Sequence, residues 1–315
     1  MWIVLAFISA CLLGLYDVCK KKALTGNAVI PVLWINTLIC TAFFLPSIIG
    51  SAAGWWSPTS ALYLPGGTWQ AHGLVALKAC IVLASWICGY YAIRRLPLTI
   101  AGPINASRPV LVLLGAIICY GERLNAWQWG GVTLTLFSLF LLSRSSRKEG
   151  IRFGHNRHIL LLATAALLGA ASGLYDKYLM MPVSAGGAQL DRLFVQGWYN
   201  LYQALLMGLV FVWAWWMPRR GKHTLRAAPH GDTIFSWRTE ILLISVFLTA
   251  ADLAYFYALS RPGALVAVVS MVRRGSVLVS FAFGALMLRE RNLKAKGLDL
   301  ALVLLGMVLL YIGTR

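Results

Sequence analysis

The sequence predicts an all-α integral membrane protein: ten transmembrane helices arranged as two inverted five-helix repeats. Three observations carry this. The 315 residues are 59% hydrophobic and only 12% charged, against about 45–50% and about 25% in an ordinary soluble domain. The apolar residues gather in windows long enough to cross ~30 Å of hydrocarbon. Short motifs of the first half return, in the same order, in the second half.

The windows lie at 2–19, 29–50, 73–93, 98–119, 127–143, 158–178, 193–217, 239–259, 263–287 and 297–313. The fifth is at the short end for a span. The first does not read as a secretory signal, because the chain opens Met1-Trp2-Ile3 without a basic stretch and no small-residue cleavage site follows the apolar part. With the connections numbered in order, the odd ones hold 19 of the 28 Lys and Arg, while the even ones and the C-terminal end hold Arg123, Arg192, Arg261 and Arg315. Basic residues favour the cytoplasmic side, so both termini are expected outside, in a multi-pass protein of the plasma (inner) membrane. The connection 51–72 fits an outer position, with no Lys or Arg but Trp55, Trp56, Tyr63 and Trp69. A formal charge of +18 that sits in short loops argues against a nucleic-acid partner.

The repeat is read from five matches. "GLYD" occurs at Gly14–Asp17 and Gly173–Asp176, offset by 159. Trp34-Ile35-Asn36 returns as Trp198-Tyr199-Asn200, offset by 164, and "YYAIRRLP" at 90–97 faces "FYALSRPG" at 256–263, offset by 166. At that same offset Arg108 of "NASRPVLVLL" lands on Arg274 of "SMVRRGSVLVS". "GERL" at 121–124 and "RERN" at 289–292 follow at 168. Offsets that rise slowly are what small loop insertions would leave. The repeats are assigned to 1–146 and 158–315, joined by a basic connection at 147–157. Five spans is an odd number, so the second copy is inverted in the membrane. That is a transporter architecture, with its substrate site near the midplane where the repeats meet.

Two five-helix repeats, a glutamate after the fourth and ninth helices (Glu122, Glu290), and the following "WQWGGVTLTLFSLFLL" and "KAKGLDLALVLLGMVLLYIG" resemble the drug/metabolite transporter superfamily in its EamA-like branch. The resemblance runs over nearly the whole chain. It implies that the first four helices of each repeat surround a central cavity and the fifth packs outside. The ninth-helix pair Arg273-Arg274, followed by Gly-Ser-Val-Leu-Val, is similar in position to a Lys-Arg pair that binds phosphate in the sugar-phosphate/phosphate translocators, but has Arg where that family has Lys.

Arg108, Arg273 and Arg274 stand mid-span, where an unpaired charge costs several kcal/mol. Pro109 and Gly275 follow, residues that weaken a helix and suit a local break beside a cavity. A guanidinium offers a planar fork of donors to a carboxylate or phosphate. Two roles are open: anion binding, or neutralisation by Asp17, Asp176 or Asp252 that braces the fold. Asp17 has Lys20 and Lys21 at helical pairing distance, whereas Asp176 has only the adjacent Lys177, which points elsewhere. Asp252 falls opposite Trp86 in the first repeat; it either partners an arginine or carries a coupling proton. Lys78, a turn from its helix end, is expected to snorkel. Asn36 and Asn200 are repeat-related amides that need partners in lipid, and Tyr255 is a candidate for lining the cavity. Glu122 and Glu290 read as structural.

Enzyme readings find no support. There is no HExxH, GxSxG or Walker loop, and the six cysteines, all in the first half, form no CxxC pair or disulfide framework. No cofactor or metal is expected. The sequence therefore points to a secondary transporter of a small organic anion, phosphorylated or carboxylated, with Arg108, Arg273, Arg274, Asn36, Asn200, Asp252, Asp176 and Tyr255 as candidate binding residues. Two alternatives stand beside it. One is an exporter of amino acids or amphipathic metabolites, with Asp252 or Asp176 on the amine. The other is a flippase for an anionic lipid or lipid-linked sugar.

Overall fold

A computed structural model describes residues 2–60, 62–120, 125–147, 156–180, 183–216, 235–259, 272–273, 275–286 and 293–313. These residues form helices α1 (Trp2–Leu24), α2 (Val29–Ala52), α3 (Trp69–Arg95), α4 (Leu98–Ala106), α5 (Arg108–Tyr120), α6 (Ala126–Arg147), α7 (Arg157–Met180), α8 (Arg192–Trp216), α9 (Thr239–Leu259), α10 (Ser276–Leu286) and α11 (Leu293–Ile312). Three of them, at 29–52, 69–95 and 157–176, are long and apolar enough to cross a bilayer by length and composition; α10 and the stretch 297–309 are shorter apolar helices.

Local chemistry sets the helix starts. The Thr68 side chain accepts from the Ala71 amide at the head of α3. Asp191 accepts from the amides of Leu193 and Phe194 at the head of α8. Asn125 and Gln128 exchange side-chain-to-backbone bonds of 3.0 Å ahead of α6, the reciprocal pattern of a capping box. Helix ends are tied by cations. Lys21 Nζ donates to the carbonyls of Ile93 and Leu96 at 2.8 and 2.6 Å, and Arg238 donates to those of Lys22 and Thr25; cations there complement the negative end of the helix dipole. Lys21 thus stitches α1 to the end of α3, leaving Lys20 as the partner of Asp17. Trp55 in the loop after α2 and Trp69 at the start of α3 are exposed. Trp56 instead folds back against Gly50 and donates its Nε1 to the Pro46 carbonyl.

The window 98–119 is two helices rather than one. The chain breaks at Ser107, whose hydroxyl returns to the Ile104 carbonyl at 2.7 Å, and α5 starts on Arg108-Pro109. Proline suits a first turn because its missing N–H has no intrahelical partner there.

The packing comes in matched sets. α1 lies on α9 as α3 lies on α7; α1 meets α10 as α5 meets α7; and α2 meets α9 as α3 meets α8. Two further contacts, α2 with α8 and α6 with α11, join equivalent helices of the two halves, and α4 packs on α10 across them. Single serines staple two of these interfaces, Ser9 Oγ to the Ala251 carbonyl (2.6 Å) and Ser85 Oγ to the Ala165 carbonyl (2.8 Å). Between helices in lipid, such polar contacts and close approach of small residues replace the hydrophobic drive available in water. The α6–α11 pair joins the bundle mainly through contacts of α11 with α4. Its seam is made of small groups: a Cβ placed on Gly306 would stand 2.3 Å from Thr135 Oγ1 and 2.9 Å from the Gly131 carbonyl, and Ser138 Oγ donates to the Asp299 carbonyl.

That seam generates a stability test. Gly306→Val should destabilise the protein by about 1–3 kcal/mol through overpacking. Gly73→Ala, which meets nothing within 4 Å, should be neutral or slightly stabilising. Melting curves in detergent followed by fluorescence-detected size exclusion will separate the two, and equal melting temperatures would contradict the backbone approach described.

Candidate substrate site

Three helices turn polar faces toward one another at membrane depth. Along α8 these are Gln196, Tyr199, Asn200 and Gln203, all buried and spaced 3, 1 and 3 residues apart, one stripe of a helix. On α2 they are Asn36, Thr37 and Thr41, and on α9 Ser245 and Thr249, all buried; Asp252, also on α9, is partly buried. Thr41 Oγ1 donates to the Asn200 carbonyl at 2.9 Å, and Trp34 stacks on Phe211 at 4.3 Å. α2 and α8 therefore run antiparallel, which puts Gln203 level with the turn of α2 between Thr37 and Thr41. Asn36 Oδ1 accepts from Ser245 Oγ at 2.9 Å.

Two ion pairs flank this seam. Arg273 pairs with Asp252 and lies over the Tyr255 ring at 4.5 Å. Lys78 pairs with Asp176 and lies 5.0 Å from the centre of the Tyr199 ring. Tyr199 is within electrostatic reach of both pairs. Lys78 does not snorkel: its side chain is buried, and a carboxylate 98 residues away neutralises it. Asp17 pairs with Lys20 at 2.7 Å within its own helix.

Arg108 has a different setting. Its guanidinium packs against Gly169 of α7, where a Cβ would come within 2.9 Å of Cζ, and its Nη2 reaches the Ala165 carbonyl at 3.4 Å. Its Nε is buried without a hydrogen-bond partner. Among the described residues it forms no salt bridge, and Asp17 is the carboxylate whose field it feels most.

The structure thus gathers Arg273, Asp252 and Tyr255 at one end of the seam, with Asn36 and Asn200 further along it. Asp176 sits with Lys78 across the α3–α7 contact, and Arg108 sits on the α5–α7 contact. Arg274, Glu122, Arg123 and Glu290 lie outside the described residues. Sequence reasoning passed over Ser245 and Thr249, whose hydroxyls are unremarkable in a span until α2 is seen opposite. It also passed over Asp299, buried in α11, although a lone acid in "KGLDLALVLL" was signal enough.

Near Thr249 a cavity of about 120 Å³ opens between α2 and α9. Phe43, Phe44, Ser47, Leu62, Leu253 and Thr249 line it, and Phe43, Leu62 and Leu253 are each about half exposed. It is mostly apolar, and Leu64 of the connection after α2 and Leu193 of α8 complete its lining.

Residues 1–144 match the EamA-like transporter family. An uncharacterized transporter from the cobO 3′ region of a Sinorhizobium species is 30% identical over 109 residues, which are 34% of this chain and 74% of that protein. The chain belongs to the EamA-like transporter family. It is accordingly an all-helical membrane protein of a transporter family rather than an enzyme family. An uncharacterized transporter of Pseudomonas aeruginosa is 30% identical over 138 residues, 44% of this chain and 42% of its own. A probable 4-amino-4-deoxy-L-arabinose-phosphoundecaprenol flippase subunit ArnE of Yersinia pestis is 33% identical over 75 residues, 24% of this chain and 61% of its own. The chain therefore spans less than two thirds of the latter two proteins. A solved crystal structure shares the fold over 99% of this chain and 98% of its own, with a TM-score of 0.58 at 16% identity.

The α3–α7 ion pair yields a double-mutant test. Lys78→Met leaves Asp176 uncompensated and should cost about 3 kcal/mol, the low end for breaking a buried pair, because the Asp176 side chain keeps 35% exposure. Lys78→Met with Asp176→Asn should recover most of the loss. Denaturation of the four proteins in detergent checks this, and additive losses would mean the pair is not coupled.

Proposed function

We propose that this member of the EamA-like family is a secondary transporter moving a small organic anion by alternating access, with Arg108 and, through the repeat, Arg274 holding the anionic group. The chain would form ten spans as two inverted five-helix repeats in the plasma (inner) membrane, both termini outside. The matched helix contacts support that architecture, since α1–α9, α1–α10 and α2–α9 become α3–α7, α5–α7 and α3–α8 when the halves are exchanged, while α2–α8 and α6–α11 map onto themselves. One observation carries the substrate class. Lys20, Lys78 and Arg273 each stand against a carboxylate, whereas partly buried Arg108 stands at a helix break with its Nε unpaired and, among the described residues, a single carbonyl at 3.4 Å. An uncompensated guanidinium at this depth is costly, and an incoming carboxylate or phosphate removes that cost by charge-assisted hydrogen bonds. Asp252 braces Arg273 on this reading.

A second reading is favoured by the cavity between α2 and α9. An apolar cavity with half-exposed lining suits a hydrocarbon tail whose polar head enters the seam, as a lipid or lipid-linked sugar flippase requires. The likeness to a flippase subunit named for a phosphoundecaprenol-linked sugar points the same way over its 75 residues. The amino-acid exporter has no such support, because Asp252 and Asp176 are both already paired with cations.

The test is uptake and exchange in proteoliposomes over radiolabelled anions, zwitterions and cations, with and without acyl or prenyl chains. Uptake confined to cations sinks the anion reading; uptake only of chain-bearing anions selects the flippase. Arg108→Gln should reduce anion uptake at least tenfold and abolish anion-induced thermal stabilisation, which is set by ligand concentration over dissociation constant. The ligand-free variant should be as stable as the wild type or more so. Arg273→Gln should instead lower stability by stranding Asp252, while Arg274→Gln should lose transport with stability retained.

A further inference from the structure

The seam between α2, α8 and α9 holds buried polar groups with no hydrogen-bond partner among the described residues. Gln203, 1% exposed, has neither its Oε1 nor its Nε2 hydrogen-bonded. Asn36 uses its Oδ1 on Ser245 while its Nδ2 has no partner, and Thr249 Oγ1, one turn beyond Ser245, has the weakly bonding Cys40 thiol near it and no hydrogen bond of normal geometry among the described residues. All three residues are more than nine-tenths buried. Burying even one such group without a partner is unfavourable, and native proteins keep few of them. α2 adjoins both α8 and α9; Gln203 lies level with the turn of α2 between Thr37 and Thr41, and Thr249 is on the α9 face that carries Ser245.

The kind of group missing decides what fits. Asn36 Nδ2 and Gln203 Nε2 donate only, Gln203 Oε1 accepts only, and the Thr249 hydroxyl does both. A carboxylate or phosphate accepts only, so it leaves Gln203 Oε1 bare. An ammonium donates only, so it leaves the two amide nitrogens bare. A hydroxyl both donates and accepts, and two or three on neighbouring carbons meet the whole set. From this we infer that Asn36, Gln203 and Thr249 form a subsite for the hydroxyl-bearing, uncharged part of the substrate, making the cargo a polyol or sugar derivative rather than a simple carboxylate. This rests on the transport reading for the same cavity but not on the charge of the substrate. Both ion pairs lie to one side of these neutral groups, with Arg273–Asp252 one turn past Thr249 and Lys78–Asp176 beside Tyr199. Ordered water is the competing occupant, since a polar void with such partners also holds water.

Matched probes separate these. Binding to the purified protein is measured for sn-glycerol 3-phosphate against n-propyl phosphate, and for erythritol against 1,4-butanediol. The wild type should prefer the hydroxylated member of at least one pair by about tenfold per hydroxyl bond lost. Gln203→Leu and Thr249→Val should erase that preference, leave the affinity for the deoxy member unchanged, and hold or raise the melting temperature of the empty protein. Equal binding of both members of both pairs overturns the inference, as do variants that weaken both members alike or that melt earlier because the amide had a structural partner. Failure of both phosphates with retained erythritol preference overturns the anion reading and upholds this one. Bound phosphates without hydroxyl preference do the reverse, leaving water as the occupant.

Discussion

The bundle is organised by the need to pair each polar side chain that folding carries inward. In hydrocarbon, a charge or an amide that finds no partner within the protein has none to find outside it, so each polar side chain that folding carries inward constrains the position of another. Lys20 stands on Asp17, Lys78 on Asp176 and Arg273 on Asp252. These contacts are weak arguments for stability as such, because desolvation offsets most of the attraction. They are strong constraints on geometry, because breaking one strands an ion. Lys78 and Asp176 belong to different halves of the chain, so neutralising one charge also fixes how α3 lies on α7.

That constraint acts on a scaffold of closely packed small residues. Gly14 of α1 admits Val279 and the Ser276 carbonyl of α10, and the equivalent Gly173 of α7 lies 3.7 Å from Val112 of α5, measured to its would-be Cβ. Close approach lets one serine hydroxyl join α1 to α9 and another join α3 to α7. The break at Ser107 then places Arg108 at the head of α5, against a glycine of α7 that leaves space for its guanidinium. A side chain on Gly169 would fill that space, so the buried cation depends on the same small-residue packing that holds the helices together. Charge placement and helix packing are one arrangement seen twice. The neutral seam between α2 and α8 follows from the same closeness, since Thr41 reaches the Asn200 carbonyl only because those helices touch.

What the sequence makes legible is whatever depends on nearest neighbours or on recurrence. Apolar windows reflect bilayer thickness, and they locate the described helices to within a few residues, apart from the ninth window, whose first part lies outside the described residues. Asp17 and Lys20 are three residues apart on one helix, so their pairing is readable from spacing alone. The Arg108-Pro109 weakness is local and appears as the break at Ser107. Lys78 is the counter-example: a turn from its helix end it reads as a snorkelling cation, and only the contact of α3 with α7 reveals Asp176. Lys21 likewise spaces correctly for Asp17 but is drawn to carbonyls more than 70 residues away. Asp299 was legible and was missed, because attention to acids beside basic residues hides one that stands among leucines. The unpaired groups are least readable of all. A glutamine in an apolar run is expected to find a partner, and that Gln203 has none is a property of three helices at once. For that reason the strongest statement about a substrate comes from Gln203 and Thr249 rather than from the arginines: charge is conspicuous in a sequence, whereas an unmet hydrogen bond exists only after every neighbour has been placed.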